Sequence, residues 1–240
     1  MSSPAFLSAA PAAHPRIKFV RSFAELVSTP FADGVNALCW PRTLAGDFDE
    51  ITAVIGPLDE ITTLDDESLL GLPLSPAGQL ARDILLEDQR LLREAGLDPS
   101  LDCIPAYPRD PGASPVPIDV YDFHVDSATV PADTYLCSYT VASSEGVDND
   151  EAQCRVDVPA TRAELLLRYG GADDAGFADY LHEHCFDLHY VALPQALPYS
   201  FGLGNLWRIA TACPGSPVPP CIHRAPATAP GQPPRLLLIS

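Results

Sequence analysis

In the segment FHVDS a histidine and an aspartate, His124 and Asp126, stand two positions apart. On a β-strand, residues at i and i+2 leave the same face, so this spacing projects an imidazole nitrogen and a carboxylate oxygen side by side. Such a pair can fill two adjacent positions around a divalent ion. The third ligand has to come from elsewhere, and His223, in CIHRAP near the C-terminus, is the candidate. Two imidazoles and one carboxylate make a facial triad that leaves positions open for substrate and oxygen. An arginine, Arg235, follows on the last strand-like segment, RLLLIS.

Other arrangements compete with this one. In LHEHCFDLHY, His182, Cys185 and His189 fall at i, i+3 and i+7, which on a continuous helix shares one face and offers a zinc alternative without an evident fourth ligand. Equally, His124 and Asp126 can hydrogen-bond each other in the core of a non-catalytic binding or assembly module. Ser127 and Ser138 lack a GxSxG context, which argues against a nucleophilic hydrolase. Cys137 and Cys221 read as small buried hydrophobes.

The order HxD, distant His, then Arg resembles the iron(II)- and 2-oxoglutarate-dependent dioxygenases with a double-stranded β-helix (jelly-roll) core. Within that resemblance His124, Asp126 and His223 hold the iron, and Arg235 clamps the far carboxylate of 2-oxoglutarate through a planar bidentate grip. The HxD segment with HRAP and RLLL is also similar to an uncharacterised bacterial family with HRSP-like and RLLL-like endings. The similarity covers about the C-terminal half. Two positions depart from the pattern: Leu237 stands where many relatives carry Ser or Thr two places after the arginine, and Gly204 is followed by Asn205 instead of Asp. Arg224, next to His223, is a second candidate for the carboxylate. The resemblance implies an oxidoreductase acting on a small or medium substrate; a cofactor-independent iron oxygenase or a cupin-like metalloenzyme would use the same triad.

The elements that have to position these groups are readable from pattern. Asp47 and Glu50 suit the N-terminal end of a helix over about 48–55, closed by Pro57. Ser75 and Pro76 open a longer helix over 76–95, with Leu80, Ile84, Leu91 and Ala95 on one face and Gly96 as the stop. GVNALCW reads as a strand, and after Pro117 so do PIDVYDFHVD, TYLCSYTVA, QCRVDV, DLHYVAL, YSFGLGNLWRIA and RLLLIS. A helical insertion interrupts them, with a Thr161/Glu164 capping box, a stop at Gly170-Gly171 and a second helix around 177–184. The expected fold is α+β: a disordered tail over 1–16, then one domain, with an α/β elaboration over 17–116 supporting a jelly-roll β core over 117–240.

Composition agrees with a globular chain rich in turns: of 240 residues 47% are hydrophobic, 19% charged and 26 are prolines. The formal charge of -18 repels phosphate backbones, which points away from nucleic acid and leaves a small-molecule substrate as the expected partner. Seven cysteines form no CxxC pair and cannot all pair within one chain, as expected in the reducing cytoplasm. Residues 1–13 lack the basic start of a secretory signal, and no run reaches the ~20 apolar residues of a membrane span.

Overall fold

A computed structural model of the chain describes residues 8–9, 14–110, 112, 114–229 and 231–240. In chain order its elements are β1 (Ser8–Ala9), β2 (Ile17–Phe19), α1 (Phe23–Ser28), β3 (Ala37–Trp40), α2 (Phe48–Ile55), β4 (Thr62–Thr63), α3 (Asp66–Leu70), α4 (Pro76–Glu94), β5 (Ser100–Ile104), β6 (Asp133–Ser138), β7 (Glu145–Val147), β8 (Ala152–Cys154), α5 (Pro159–Tyr169), α6 (Ala175–Glu183), β9 (Tyr190–Ala192), β10 (Tyr199–Ser200), β11 (Leu206–Ala210), β12 (Ile222–Arg224) and β13 (Arg235–Ile239). Seven strands form one mixed sheet, β2-β3-β11-β6-β13-β5-β4, antiparallel except at β2–β3. Four form a second, β1-β10-β7-β12, in which only β1 runs parallel to its neighbour. β8 and β9 pair separately. The fold is α+β, and among the described residues the sheets do not close into a continuous barrel. The large sheet draws strands from both sides of residues 116/117, because β5 pairs with β13 along its whole length.

Strand alternation explains how the layers stack. Tyr135, Cys137, Leu206, Leu236 and Leu238 point towards the helices and join Leu26, Ile51, Leu69, Leu85 and Leu92 in one core. From the opposite face Leu136, Trp207, Ile209 and Leu237 meet Tyr199, Phe201 and Cys221, which belong to the small sheet and its flanks. The large sheet is thus covered by helices on one side and by the small sheet on the other. Residues 148–198, which connect β7 to β10, carry α5 and α6 over a core of their own built on Val156, Leu165, Phe177 and Leu181.

Local signals fix several helix ends. Asp47 accepts the Glu50 amide at the start of α2, and Ser75 accepts the Gly78 amide at the start of α4. The buried stripe of α4, however, is Ala81, Leu85, Asp88, Gln89 and Leu92, while Leu80 is 46% exposed. The helix is rotated because Asp88 turns inward, where Arg42 donates to its Oδ1 at 2.6 Å and the Tyr139 hydroxyl to its Oδ2 at 2.6 Å. The Thr161/Glu164 capping box does not form: Pro159, pre-set for the first turn, starts α5 earlier, with Val158 as a cap that makes no side-chain bond. Gly170 ends α5 in the left-handed region at φ 73°.

PIDVYDFHVD is not a continuous strand. Its ordered pairing is confined to bridges at His124, with another at Ser127 just beyond it, since Asp119 accepts the Tyr121 amide at 2.9 Å and bends the chain locally. Of the expected tail, residues 1–7 and 10–13 lie outside the described residues; Ser8–Ala9 pair with Tyr199–Ser200, and Arg16 bonds Asp148 at 2.8 Å. No helix among the described residues is long and apolar enough to cross a membrane.

Candidate metal centre

Backbone pairing places the histidines before their side chains do anything. The His124 amide donates to the His223 carbonyl and the His223 amide to the His124 carbonyl, both at 2.9 Å, the closed antiparallel pair that sends both side chains to one face. On the other flank Val125 donates to Leu188 and Tyr190 to Phe123, which sets His189 opposite His124. One row, His189–His124–His223–Gly146–Tyr199, therefore crosses the strands on the face turned towards the large sheet. Glycine is required at position 146 because a Cβ there would lie 2.5 Å from Tyr199 Cζ.

The three sequence-predicted ligands converge. Ligand atoms of His124, Asp126 and His223 all lie within 4.8 Å of one another, and His223 Nε2 is 3.7 Å from Asp126 Oδ2. His124 Nδ1 donates to the Asp122 carbonyl at 2.8 Å and His223 Nδ1 to the Cys221 carbonyl at 3.3 Å. A carbonyl can only accept, so Nδ1 carries the proton in each ring and Nε2 presents its lone pair. Imidazoles bonded through Nε2 at ~2.0–2.1 Å in adjacent octahedral positions have ring centres roughly 4.5 Å apart; those of His124 and His223 are 4.6 Å apart. Burial first, and His223 beside it second, push the His124 pKa down to about 4, so this ring is neutral near pH 7. For Asp126 burial pushes the carboxyl up, but His223, the Thr134 hydroxyl and His124 outweigh it and hold the group below its ordinary value. Thr134 donates to Asp126 Oδ2 at 2.6 Å.

Arg235 is 4% exposed. Its Nη2 donates to Ser138 Oγ and to Ser144 Oγ, both at 2.8 Å, so the guanidinium ties the large sheet to the chain entering β7. Its Nε has no partner, and no carboxylate among the described residues pairs with it. Burial pulls its pKa below the usual arginine value, against Tyr107, Cys137 and Tyr121, which act the other way. A buried cation with an unmet donor and no acid lacks the compensation that buried charges ordinarily have. Arg224, by contrast, is compensated: on the outer face of β12 its Nε donates to Glu145 at 2.7 Å, and it lies over the Phe123 ring. Leu237 faces Ser138 across the β13–β6 pair. Asn205 is explained by its two bonds, donating to the Phe201 carbonyl and accepting the Arg42 amide, a combination that an ionised aspartate cannot make.

The zinc alternative does not assemble. His182 sits exposed on α6 and bonds Asp187 at 2.8 Å, Cys185 is exposed in a left-handed turn at φ 59°, and His189 is buried with Nδ1 donating to the Cys185 carbonyl. The helix ends at Glu183, so the i, i+7 relation has no helix to run along. Among the described residues, the only metal-sized group of three is His124, Asp126 and His223. Sequence reasoning missed Thr134, Ser138 and Ser144, although Thr134 and Ser138 share a strand face, and it set His189 in another cluster. A cavity of about 1010 Å³ between α2 and Pro233-Pro234, and another of about 560 Å³ beside Val125 and Leu188, are lined by none of the three ligands nor by Arg235. The chain matches no protein-family profile, no curated protein and no solved structure.

Proposed function

We propose that the protein is a non-haem iron(II)- and 2-oxoglutarate-dependent oxygenase acting on a small or medium substrate, built on a double-stranded β-helix. The fold reading is supported by strand pairing. Counting β5, the His124 segment, β6, β7, β10, β11, β12 and β13 in chain order, the first pairs with the last, the second with the seventh, the third with the sixth and the fourth with the fifth, all antiparallel. That is the pairing of one long hairpin rolled upon itself.

The observation that carries the function is the combination of a converged His-Asp-His set with a buried arginine that lacks an acid. Two nitrogens and one oxygen suit iron(II) and leave room for a chelating co-substrate. Iron(II) and 2-oxoglutarate, when bound, supply the oxygen activation and the oxidising power for attack on a C–H bond. The chain's own part is positioning. Carbonyls of Asp122 and Cys221 hold the two imidazole tautomers, Thr134 orients the carboxylate, Arg235 pairs with the far carboxylate of the keto acid, and Phe201, Trp207 and Leu136 keep water from the space between the sheets.

The same triad fits a cofactor-independent metalloenzyme, and one feature favours it: Arg235 Nη2 is already engaged by two serines, with Leu237 beside them. Anaerobic titration decides. One iron(II) per chain, followed by a visible charge-transfer band that appears only with 2-oxoglutarate and by succinate formation in air, supports the oxygenase. Iron binding without any response to 2-oxoglutarate favours the second reading, and absence of iron binding at micromolar concentration leaves a non-catalytic jelly-roll module.

A further inference from the structure

The cavity of about 1010 Å³ between α2 and Pro233-Pro234 has mostly apolar walls: Pro57 and Leu58 after α2, Pro105 after β5, Pro234 before β13, and Val141 and Leu203. Cavities of about 450 Å³ and about 280 Å³ adjoin it and share Leu203, so the three form one cleft around that side chain. Two turns of unfavourable backbone put apolar groups there. Leu203 stands between Gly202 at φ 75° and Gly204 at φ 76°, and a Cβ on Gly202 would lie 2.6 Å from Asn205 Nδ2, so the turn needs glycine. The Gly204 amide ties this turn to the Ser138 carbonyl at 2.8 Å, yet Leu203 is left 46% exposed. Val141 itself takes φ 62°, an outlier for a β-branched residue, inside a tight turn closed by the Ala142 amide on the Thr140 carbonyl at 2.8 Å. Strain of this kind persists only where the surrounding structure imposes it, and it gathers at sites that hold ligands.

The one charged group lining the main cavity is Asp49. Thr52 donates to the Asp49 carbonyl at 3.0 Å, Gln232 accepts the Ala229 amide at 2.9 Å, and Asp47, in the adjoining cavity, accepts the Glu50 amide at 3.1 Å. The Asp49 carboxylate, in the first turn of α2, has no hydrogen-bond or ion-pair partner among the described residues. Arg42 lines the smallest of the three cavities, where Asp88 and the Gly204 carbonyl engage it.

We infer that this cleft is a ligand site, separate from the candidate metal centre, for a small amphipathic cation: a primary ammonium paired with Asp49 and an apolar body laid along Val141, Leu203 and the prolines. Apolar clefts of ~300–1,000 Å³ with a few placed polar groups are the usual form of a small-molecule site. An unmatched carboxylate in a chain of formal charge -18 selects the sign of the ligand. None of the three candidate ligands lines the cleft, nor does Arg235, so the site stands independently of the metal reading.

The test is calorimetric titration of the full chain, without added metal, with octylammonium, octanol and octanoate, which share one apolar body and differ in charge. One octylammonium per chain is expected, bound about fivefold tighter than octanol, with octanoate the weakest. Asp49→Asn should bring octylammonium down to the affinity of octanol and leave octanol unchanged. Leu203→Trp fills the cleft from the turn and Ala53→Trp fills it from α2; each should abolish binding of both probes. Both positions are exposed, so neither change disturbs the core, and either variant that melts like the wild type serves. Equal affinity for the three probes, an ammonium preference that survives Asp49→Asn, full binding in the tryptophan variants, or no binding of octylammonium at all would each overturn the proposal.

Discussion

Thr134 and Ser138 occupy the same face of β6, four positions apart, and each anchors one end of the candidate site: the first donates to Asp126, the second accepts from Arg235. At ~3.3 Å per residue the strand separates these anchors by about 13 Å. One strand of the large sheet thus supports both the carboxylate of the candidate triad and the buried guanidinium.

Arg235 is a buried charge that no acid among the described residues balances. Replacing it by Met, similar in length and apolar, removes a buried charge that has no acid partner, so Arg235→Met should melt at or above the wild-type temperature. The same variant should lose 2-oxoglutarate binding at unchanged iron affinity. The double change Ser138→Ala, Ser144→Ala leaves the guanidinium without protein acceptors and should cost about 1–3 kcal/mol. Paired calorimetric melts and iron titrations read all three outcomes.

Asp88 links three parts of the helix-facing core: its own helix α4, Tyr139 after β6 and Arg42 after β3. Both charges are almost completely buried, with side-chain exposures of 3% for Asp88 and 9% for Arg42. Asp88→Ala strands the arginine and is expected to destabilise by about 3–5 kcal/mol in urea denaturation. Tyr139→Phe should cost less, about 1–2 kcal/mol, because the ion pair survives.

Alkaline pH should destabilise the fold through its thiols. Burial pushes Cys39, Cys137 and Cys221 up to about 12 and Cys103 to about 11. Above the ordinary value of 9.0 the unfolded chain ionises these thiols while the folded chain keeps its protons. The unfolded state therefore gains as pH rises from 9 towards 12, at about 1 kcal/mol per thiol by pH 10. The urea midpoint should fall between pH 8 and pH 10, and a thiol reagent at pH 8 should label exposed Cys185 long before these four.

His189 stands beside His124 but outside the group of three, the ring centres lying 6.1 Å apart. His182→Ala and His189→Phe should each keep one metal ion per chain and change its affinity by less than about threefold, whereas loss of a first-coordination residue costs far more than the ~10–100-fold typical of outer partners. Elemental analysis and equilibrium dialysis separate the two cases; loss of stoichiometry in the His189 variant would redraw the centre.

Much of the local structure was legible because its causes are local. Asp47, Ser75 and Gly170 act on amides or dihedrals within a turn, and the helices over 48–55 and 76–94 begin, and that over 159–169 ends, where those residues say. Where a reading failed, a partner distant in sequence decided. Arg42 and Tyr139 turned Asp88 inward and rotated the buried stripe of α4, and no window around the helix contains either residue. The segment before His124 reads as a strand by its apolar content, but Asp119 spends its carboxylate on the Tyr121 amide and breaks the ladder.

By itself the sequence determined the residue types of the candidate site, the shared side of His124 and Asp126 and the presence of an arginine downstream of His223, since each follows from residue chemistry and a two-residue period. Only the tertiary structure decided that His223 pairs across from His124, that Arg235 is buried against Ser138 and Ser144 with no acid nearby, and that Thr134 holds the carboxylate from the opposite sheet. Strand register between segments nearly a hundred positions apart is set by the summed packing of both cores, and that sum exists only once the layers have come together.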